Sequence, residues 1–138
     1  MILLDTSGLL AWMDAAQRRH REVAEAMESV DGPFLLSPFV LAELDYLLAT
    51  RIGLRAQEAA LAEVERGAYR LAAFTAADVG RALALIRQFA DLEIGLADAS
   101  IVVLAEHHAC ATVLTLDERH FRVLQVNGEP FRLLPSDA

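Results

Sequence analysis

The chain has 138 residues, of which 55% are hydrophobic and 23% are charged, and its twenty acidic residues against twelve basic ones, all arginine, give a net charge of −8. This composition predicts a single folded domain over residues 1–138 and excludes a disordered chain, while the negative charge argues against diffuse attraction to nucleic acid. No apolar run reaches the roughly 20 residues that span a bilayer, no signal peptide is present and a single cysteine excludes a disulfide framework, so we expect a cytoplasmic protein without membrane contact.

The first half of the chain is predicted to alternate between short strands and helices. The apolar run at residues 1–4 predicts a buried central strand that ends at Asp5. Ser37 followed by Pro38 is typical of a helix N-cap with proline in the first helical position. The predicted elements are a strand over 1–4, helices over 6–14 and 18–30, a strand over 34–36, and helices over 38–50 and about 54–66.

The second half continues this alternation. Thr75 and Asp78 have the spacing of a capping box, which predicts a helix that begins there and ends near Phe89. The other predicted elements are a strand over 69–74, a helix over 98–108, a strand over 112–116 and a last strand over 131–134. Short strands that alternate with helices predict an α/β sandwich with a mainly parallel sheet.

Two acidic residues directly follow predicted strands. Asp5 ends the first strand, and Asp117 follows the strand over 112–116. In open parallel sheets, ligands bind beyond the carboxyl ends of the strands, where the strand order reverses. We therefore expect Asp5 and Asp117 at one edge of the sheet, provided that their strands are neighbours.

Two further acids lie on apolar faces of predicted helices. Glu43 shares a helix face with Val40 and Leu47, and Asp98 is placed in the same way below Ile101. We expect both carboxylates to project toward the interior, which is costly unless they are paired, hydrogen-bonded or bound to a metal.

The four acids together point to a metal site, although each has a structural alternative: a turn for Asp5 and Asp117, an N-cap for Asp98 and an arginine pair for Glu43. Converging carboxylates repel one another, by about 4 kcal/mol for two charges ~4 Å apart at an effective dielectric of 20. A hard divalent cation relieves this repulsion, and oxygen ligands favour Mg²⁺ or Mn²⁺. Such a site suits phosphodiester hydrolysis by metal-activated water.

Missing residues exclude other proteins that handle phosphate at the edge of a parallel sheet. A receiver domain needs a lysine near its phosphorylated aspartate, and the chain has no lysine. A haloacid-dehalogenase-like phosphatase needs Asp-x-Asp, but Thr6 and Ser7 follow Asp5. A P-loop nucleotidase needs Gly-Lys-Ser/Thr, which is absent.

The ordered set of motifs resembles the PIN-domain ribonucleases, and most closely the VapC toxins of bacterial and archaeal toxin–antitoxin pairs. The resemblance covers essentially the whole chain. It implies a PIN-like three-layer α/β/α sandwich with a mainly parallel five-stranded sheet. It also implies a Mg²⁺-dependent endoribonuclease toxin that cuts structured RNA such as tRNA or ribosomal RNA, forms a homodimer and binds a VapB-type antitoxin. The matching segments are Asp5-Thr6-Ser7, Ala42-Glu43-Leu44, Leu96-Ala97-Asp98-Ala99 and Thr115-Leu116-Asp117-Glu118-Arg119-His120-Phe121.

The resemblance also implies roles for particular residues. Asp5 and Asp98 match the acids that bind the metal most directly, and Asp117 and Glu43 match acids that often act through water. Two threonines match hydroxyl positions that orient the acids or the water: Thr6 and Thr115.

Two questions stay open at this point. The first is whether the arginines contact RNA phosphates, since those near residue 20 can instead pair with glutamates on a solvated helix face. The second is whether the chain is a catalytically inactive PIN-like module that only binds RNA or a protein. The candidate RNA contacts are Arg18, Arg19, His20 and Arg21 in one group and Arg51, Arg55, Arg66 and Arg70 in another.

Overall fold

The centre of the fold is a parallel sheet of five short strands. A computed structural model describes the chain from residue 1 to residue 138. The sheet confirms the predicted α/β class and its five parallel strands. From one edge to the other, the strands are β3 (Arg70–Leu71), β2 (Phe34–Leu36), β1 (Ile2–Leu4), β4 (Thr112–Leu114) and β7 (Arg132–Leu134). Two further strands, β5 (Gln125–Val126) and β6 (Glu129–Pro130), form a separate antiparallel hairpin.

Helices cover both faces of this sheet. Crossovers between parallel strands are right-handed as a rule, so the strand order assigns the first four helices to one face and the next two to the other, which gives the three layers. No helix has the length and the apolar character that crossing a membrane requires. The helices are α1 (Thr6–Met13), α2 (His20–Ser29), α3 (Pro38–Arg51), α4 (Leu54–Glu65), α5 (Ala76–Gln88), α6 (Leu96–His108) and the single turn α7 (Glu118–Phe121), with a 3₁₀ turn at Ala90–Leu92.

Two predicted caps determine where helices begin. The Ser37 hydroxyl accepts a hydrogen bond from the Phe39 amide, and Pro38 occupies the first position of α3. At the start of α5, the Thr75 hydroxyl accepts from the Asp78 amide while the Asp78 carboxylate accepts from the Thr75 amide. Both caps provide hydrogen-bond acceptors for backbone amides that the helix leaves unpaired. The two helix starts predicted from the sequence are confirmed.

The predicted strand over 69–74 is too long. Strand β3 covers only Arg70 and Leu71, because its neighbour β2 ends at Leu36, where Ser37 begins to cap the next helix. One further bond, from the Ala72 amide to the Leu36 carbonyl, closes the ladder. Beyond it, the chain has no strand to pair with.

The helix predicted over 98–108 begins two residues earlier. Its N-cap is Gly95 and its first residue is Leu96, so Asp98 lies within the first turn and is not the cap. The N-cap explanation for Asp98 is therefore wrong. The pattern also missed α7 and the β5–β6 hairpin, since both are too short to show a periodicity.

Gly8 marks the closest approach between a helix and the sheet. A Cβ atom at this position would lie 2.6 Å from the Leu114 carbonyl oxygen, closer than real side chains come. The missing side chain lets α1 pass directly over the end of β4. This contact holds the start of α1, and with it Asp5, against the neighbouring strand.

Candidate active site

The strand order brings the first and the last predicted acid together. Strand β1 pairs with β4, with Leu4 opposite Leu114, and the Asp5 amide donates to the Leu114 carbonyl at 3.0 Å. The chain runs from β1 to β2 on one side and later returns to β4 on the other, so the strand order reverses between β1 and β4. Asp5 and Asp117 thus lie at the point where open α/β sheets bind their ligands.

An open cavity of about 430 Å³ lies at this edge of the sheet. It includes all four predicted acids and Thr6, and it adds Glu93, which the sequence did not single out. Thr115 lies beneath it, fully buried. The residues that line the cavity are Asp5, Thr6, Ser7, Leu10, Glu43, Leu47, Arg51, Glu93, Gly95, Ala97, Asp98, Asp117 and His120.

Two hydroxyl groups fix the carboxylate of Asp5. Ser7 Oγ and Thr115 Oγ1 each donate to Asp5 Oδ2 at 2.7 Å. Each hydroxyl in turn accepts a backbone amide hydrogen at 2.9 Å, from Leu116 for Ser7 and from Asp117 for Thr115. Because both hydroxyls donate to Oδ2, neither occupies Oδ1. The network therefore orients the carboxylate and places both hydroxyl donors on one of its oxygens.

Burial sets the proton affinity of Asp5. The residue is 5% exposed, and this loss of water raises the pKa of its carboxyl group above the ordinary value. The negative charge of Asp117 raises the pKa further, whereas the hydrogen bonds from Thr115 and Ser7 lower it. The ionised carboxylate of Asp5 is thus stabilised by hydroxyl donors and has no positively charged side chain as a partner.

A second cluster joins Asp98, Asp117 and His120. Nδ1 of His120 lies 2.9 Å from Asp98 Oδ2 and 3.0 Å from Asp117 Oδ2. One potential ligand atom from each of these residues lies within 4.8 Å of the other two, which is compact enough for a shared metal ion. Asp5 lines the same cavity but is outside this closest group.

Asp98 holds its proton more strongly than an ordinary aspartate. Burial, followed by the charge of Asp5, raises its pKa to about 6, and Asp117 adds to this rise. His120 opposes the rise through its charge and its hydrogen bond. A pKa raised in this way is expected where carboxylates are buried close together and no cation compensates their charge.

Glu43 does not face the core as predicted. The buried stripe of α3 consists of Val40, Leu44 and Leu48, which follow one another at intervals of four residues. Glu43 precedes Leu44 by one position, a rotation of about 100° on a helix. Its side chain is therefore exposed and lies at the mouth of the cavity beside Leu47.

The donor atoms fit a hard divalent cation. Carboxylates dominate the set, and no arginine lies within ion-pair distance of Asp5, Asp98 or Asp117. In addition, the hydroxyl oxygen of Thr6 is buried in the cavity wall without any hydrogen-bond partner. A buried hydroxyl is normally satisfied, so this atom indicates a partner such as an ordered water molecule. These features agree with a hydrated cation among the acids.

The arginines divide into two groups. Near α2, Arg21 pairs with Glu25 as predicted, while Glu22 is bound by Arg19 and not by Arg18. Among the other candidates, Arg51 at the end of α3 lines the cavity. Its positive charge is thereby placed at the entrance to an acidic site.

Besides Glu93, sequence reasoning missed two polar residues of this site, His120 and Ser7. His120 was visible only as part of the segment after Asp117, and its contact with Asp98 depends on the single turn of α7. Ser7 directly follows Asp5 and Thr6, yet nothing in the sequence shows that its hydroxyl reaches back to Asp5. A polar residue that closely follows a strand-end acid is the signal that could have found it.

Comparison with known proteins agrees with this architecture. The family model described as "PIN domain" matches residues 2–126. The chain belongs to the PIN-domain family. This PIN domain is also 44% identical to Ribonuclease VapC26 of Mycobacterium tuberculosis (strain ATCC 25618 / H37Rv) over 135 residues, which are 97% of the chain and all of that relative. The resemblance to the VapC branch of this family of nucleases is thus confirmed.

Solved structures show the same fold. The VapC20 toxin of Mycobacterium tuberculosis, described as cleaving the sarcin–ricin loop, has a TM-score of 0.80 and 26% identity, with 85% of this chain and 90% of that chain covered. A toxin–antitoxin complex from Klebsiella pneumoniae has a TM-score of 0.69 and 18% identity, and the match covers 90% and 92% of the two chains. At that identity the second likeness shows the fold alone.

Proposed function

We propose that this PIN domain is a Mg²⁺-dependent endoribonuclease toxin of a VapBC-type pair, with Mn²⁺ as a substitute metal. One observation carries the proposal: the carboxylates of Asp5, Glu43, Asp98 and Asp117 come from four separate segments and line one cavity at the reversal of strand order. A purely structural use of these acids would give each its own partner. Instead, none of the four has an arginine within ion-pair distance, and Asp98 and Asp117 share the single imidazole of His120.

Each residue has a distinct part in the proposed reaction. Asp98 and Asp117 would hold the cation, Asp5 would add a carboxylate fixed by Thr115, and Glu43 would act at the mouth of the cavity through water. Thr6 orients a water molecule through its unpaired hydroxyl. A divalent cation bound there supplies charge stabilisation for the phosphate oxygens and makes water a better nucleophile.

Structured RNA is the proposed substrate. VapC20 shares 26% identity with this chain and is described as cleaving the sarcin–ricin loop. Large ribosomal RNA is therefore the first substrate to test, and tRNA is the second. The net charge of −8 repels RNA from most of the protein surface. RNA binding therefore relies on local contacts such as Arg51, which lines the cavity.

Cleavage of total RNA tests the proposed activity. With Mg²⁺, the wild-type protein should cut at discrete sites that leave a 5′ phosphate and a 3′ hydroxyl, which sequencing of the ends identifies. Asp98→Asn should lose cleavage by about 100-fold or more, the range for removal of one strong electrostatic contributor. Asp91→Asn, an exchange at an exposed aspartate, is the matched control and should cut normally.

The alternative is a PIN-like module that binds RNA or a protein without catalysis. It predicts no metal-dependent cleavage and equal behaviour of Asp98→Asn and Asp91→Asn. Retained RNA binding without any cut sites in either rRNA or tRNA would favour this alternative.

A cognate VapB-type antitoxin is the proposed protein partner. An apolar cavity of about 290 Å³ lies between α1, α3 and α4 and suits the apolar side of a helical segment, and α1 and α3 also contribute residues to the acidic cavity. The residues that line it are Trp12, Met13, Leu48, Ala56, Ala59, Ala60 and Glu63. A small neighbouring gene for a DNA-binding protein, whose product copurifies with this chain and stops RNA cleavage, would support the pairing.

Helix α3 is the proposed centre of a homodimer. Its outward residue Tyr46 is 66% exposed, and Leu54 at the start of α4 is 65% exposed, which leaves an apolar surface near the end of α3. Light scattering at micromolar concentration should give a dimer for the wild type and for Val123→Asp, and a monomer for Tyr46→Asp. A wild-type monomer would contradict this assembly.

A further inference from the structure

His120 makes two contacts of equal length to two acids. The single turn of α7 begins at its cap Asp117, whose Oδ1 accepts the His120 amide hydrogen at 3.1 Å. This turn brings the imidazole back over the cavity, where Nδ1 lies 2.9 Å from Asp98 Oδ2 and 3.0 Å from Asp117 Oδ2. His120 is 17% exposed, so the ring is held within the cavity wall.

A hydrogen bond explains only one of these contacts. The ring nitrogen has hydrogen-bond geometry toward Asp98, but the equally near Asp117 Oδ2 does not form such a bond with it. Adjacent ligands of an octahedral ion with bonds of about 2.0–2.1 Å are roughly 3 Å apart. The spacing of Nδ1 from both oxygens matches that arrangement, and one potential ligand atom of each of the three residues lies within 4.8 Å of the other two.

A second observation points to a polar partner that the protein itself does not supply at this site. The Thr6 hydroxyl oxygen lies in the wall of the same cavity, in a residue that is 4% exposed, and it lacks a partner among protein atoms. No arginine side chain compensates Asp98 or Asp117. A cation would compensate the charge of the acids, and the hydroxyl beside them lacks a partner from the protein.

We propose that Nδ1 of His120 is a direct ligand of the cation that Asp98 and Asp117 would hold, so that the site combines oxygen and nitrogen donors and binds Mn²⁺ more tightly than Mg²⁺, although either ion can serve the proposed reaction. This inference rests on the proposed metal-dependent function. Imidazole is a ligand of transition metals, while Mg²⁺ selects oxygen. Mn²⁺ accepts both donor types and is therefore the ion that this mixed set favours.

Pulsed electron paramagnetic resonance on the full chain with Mn²⁺ alone tests the ligand directly. Mn²⁺ is paramagnetic, and a coordinated imidazole nitrogen modulates its spin echo, whereas an imidazole that only hydrogen-bonds to a carboxylate does not give this strong coupling. We expect nitrogen modulation for the wild-type protein. Labelling histidine with ¹⁵N should change the modulation frequencies, which assigns them without any mutation.

Two matched variants locate the nitrogen. His120→Gln should lose the modulation and weaken Mn²⁺ binding by about 10–100-fold, with a smaller change for Mg²⁺. His108→Gln, at an exposed position at the end of α6, should keep both. The other histidines are engaged elsewhere, His20 with the Ala11 carbonyl and His107 with Asp78.

The outcomes separate this inference from the proposed function. Mn²⁺ bound without nitrogen modulation in the wild type would overturn the role of His120 and leave the metal-dependent nuclease standing. Equal affinities for Mn²⁺ and Mg²⁺ in wild type would overturn the preference. Absence of any Mn²⁺ binding would overturn both this inference and the proposed function. If His120→Gln fails to fold, the ¹⁵N measurement on the wild type decides alone.

Discussion

The Thr115 hydroxyl donates to Asp5 Oδ2 at 2.7 Å and accepts the Asp117 amide hydrogen at 2.9 Å, so one side chain links the acids that follow β1 and β4. Thr115 is completely buried. The hydroxyl is thus both a donor that compensates a carboxylate and an acceptor that shapes the loop after β4. Removing it leaves the Asp117 amide without its acceptor and leaves Asp5 Oδ2 with only one of its two hydroxyl donors.

Thr115→Val tests this link because it keeps the shape of the side chain and removes only the hydroxyl. We expect the free energy of unfolding to fall by about 1–3 kcal/mol, the cost of unsatisfied buried polar groups. Cleavage of RNA should fall as well, since Asp5 loses one of the donors that orient it. Urea denaturation at neutral pH measures the stability. Thr115→Ser keeps the hydroxyl and is the control, and a serine variant less stable than the valine variant would contradict this account.

Gly8→Ala tests the close approach of α1 to β4. The new Cβ would lie 2.6 Å from the Leu114 carbonyl oxygen, so the helix must move. We expect a loss of about 1–3 kcal/mol in the free energy of unfolding, as for other overpacked sites. Gly80→Ala in α5 meets nothing within 4 Å and should stabilise by up to about 1 kcal/mol. Thermal denaturation of the two variants should therefore shift in opposite directions.

The raised pKa of Asp98 predicts how stability depends on pH. Its pKa is 3.8 in an unfolded chain and about 6 in the folded protein, so between these values the folded state binds the extra proton. This group therefore makes the metal-free protein less stable as the pH rises from about 4 to about 6. A divalent cation binds the ionised carboxylate and should stabilise more at pH about 7.5 than at pH about 5. Melting temperatures with Mg²⁺ and with a chelator measure the difference, and an equal shift at both pH values would be inconsistent with it.

Arg51→Ala tests how an acidic protein holds RNA. Arg51 is the arginine at the cavity, and its loss should raise KM for RNA while kcat changes less. The salt dependence of RNA binding should also fall by about one unit of slope, as for one lost phosphate contact. Arg66→Ala removes an arginine outside the cavity and serves as the control. The same effect from both variants would show that only overall charge matters.

Local signals predicted most of the elements because each helix start and strand is encoded by neighbouring residues. The caps at Ser37 and Thr75 and the apolar run before Asp5 are all of this kind. The exceptions depend on partners elsewhere in the chain. Strand β3 stops where β2 has no more residues to pair, which residues 69–74 alone do not show.

The candidate site was predictable as a set of acids but not as a geometry. Asp5 and Asp117 could be assigned to strand ends, yet only the pairing of β1 with β4 makes them neighbours. The exposed position of Glu43 follows from which stripe of α3 packs on the core. The contact of His120 with Asp98 joins residues 22 positions apart. It depends on α7, a helix of four residues, which is too short to produce a periodic pattern in the sequence.

The pairing of β1 with β4 also has a consequence during synthesis. Asp5 and Thr115 are 110 residues apart, so the growing polypeptide contains the first acid long before the strand that completes the cavity. Domains of this size fold as units, and long-range strand pairing comes late. The nascent polypeptide therefore carries Asp5 without the rest of the cavity until β4 has been made, and the acids cannot act together before that point.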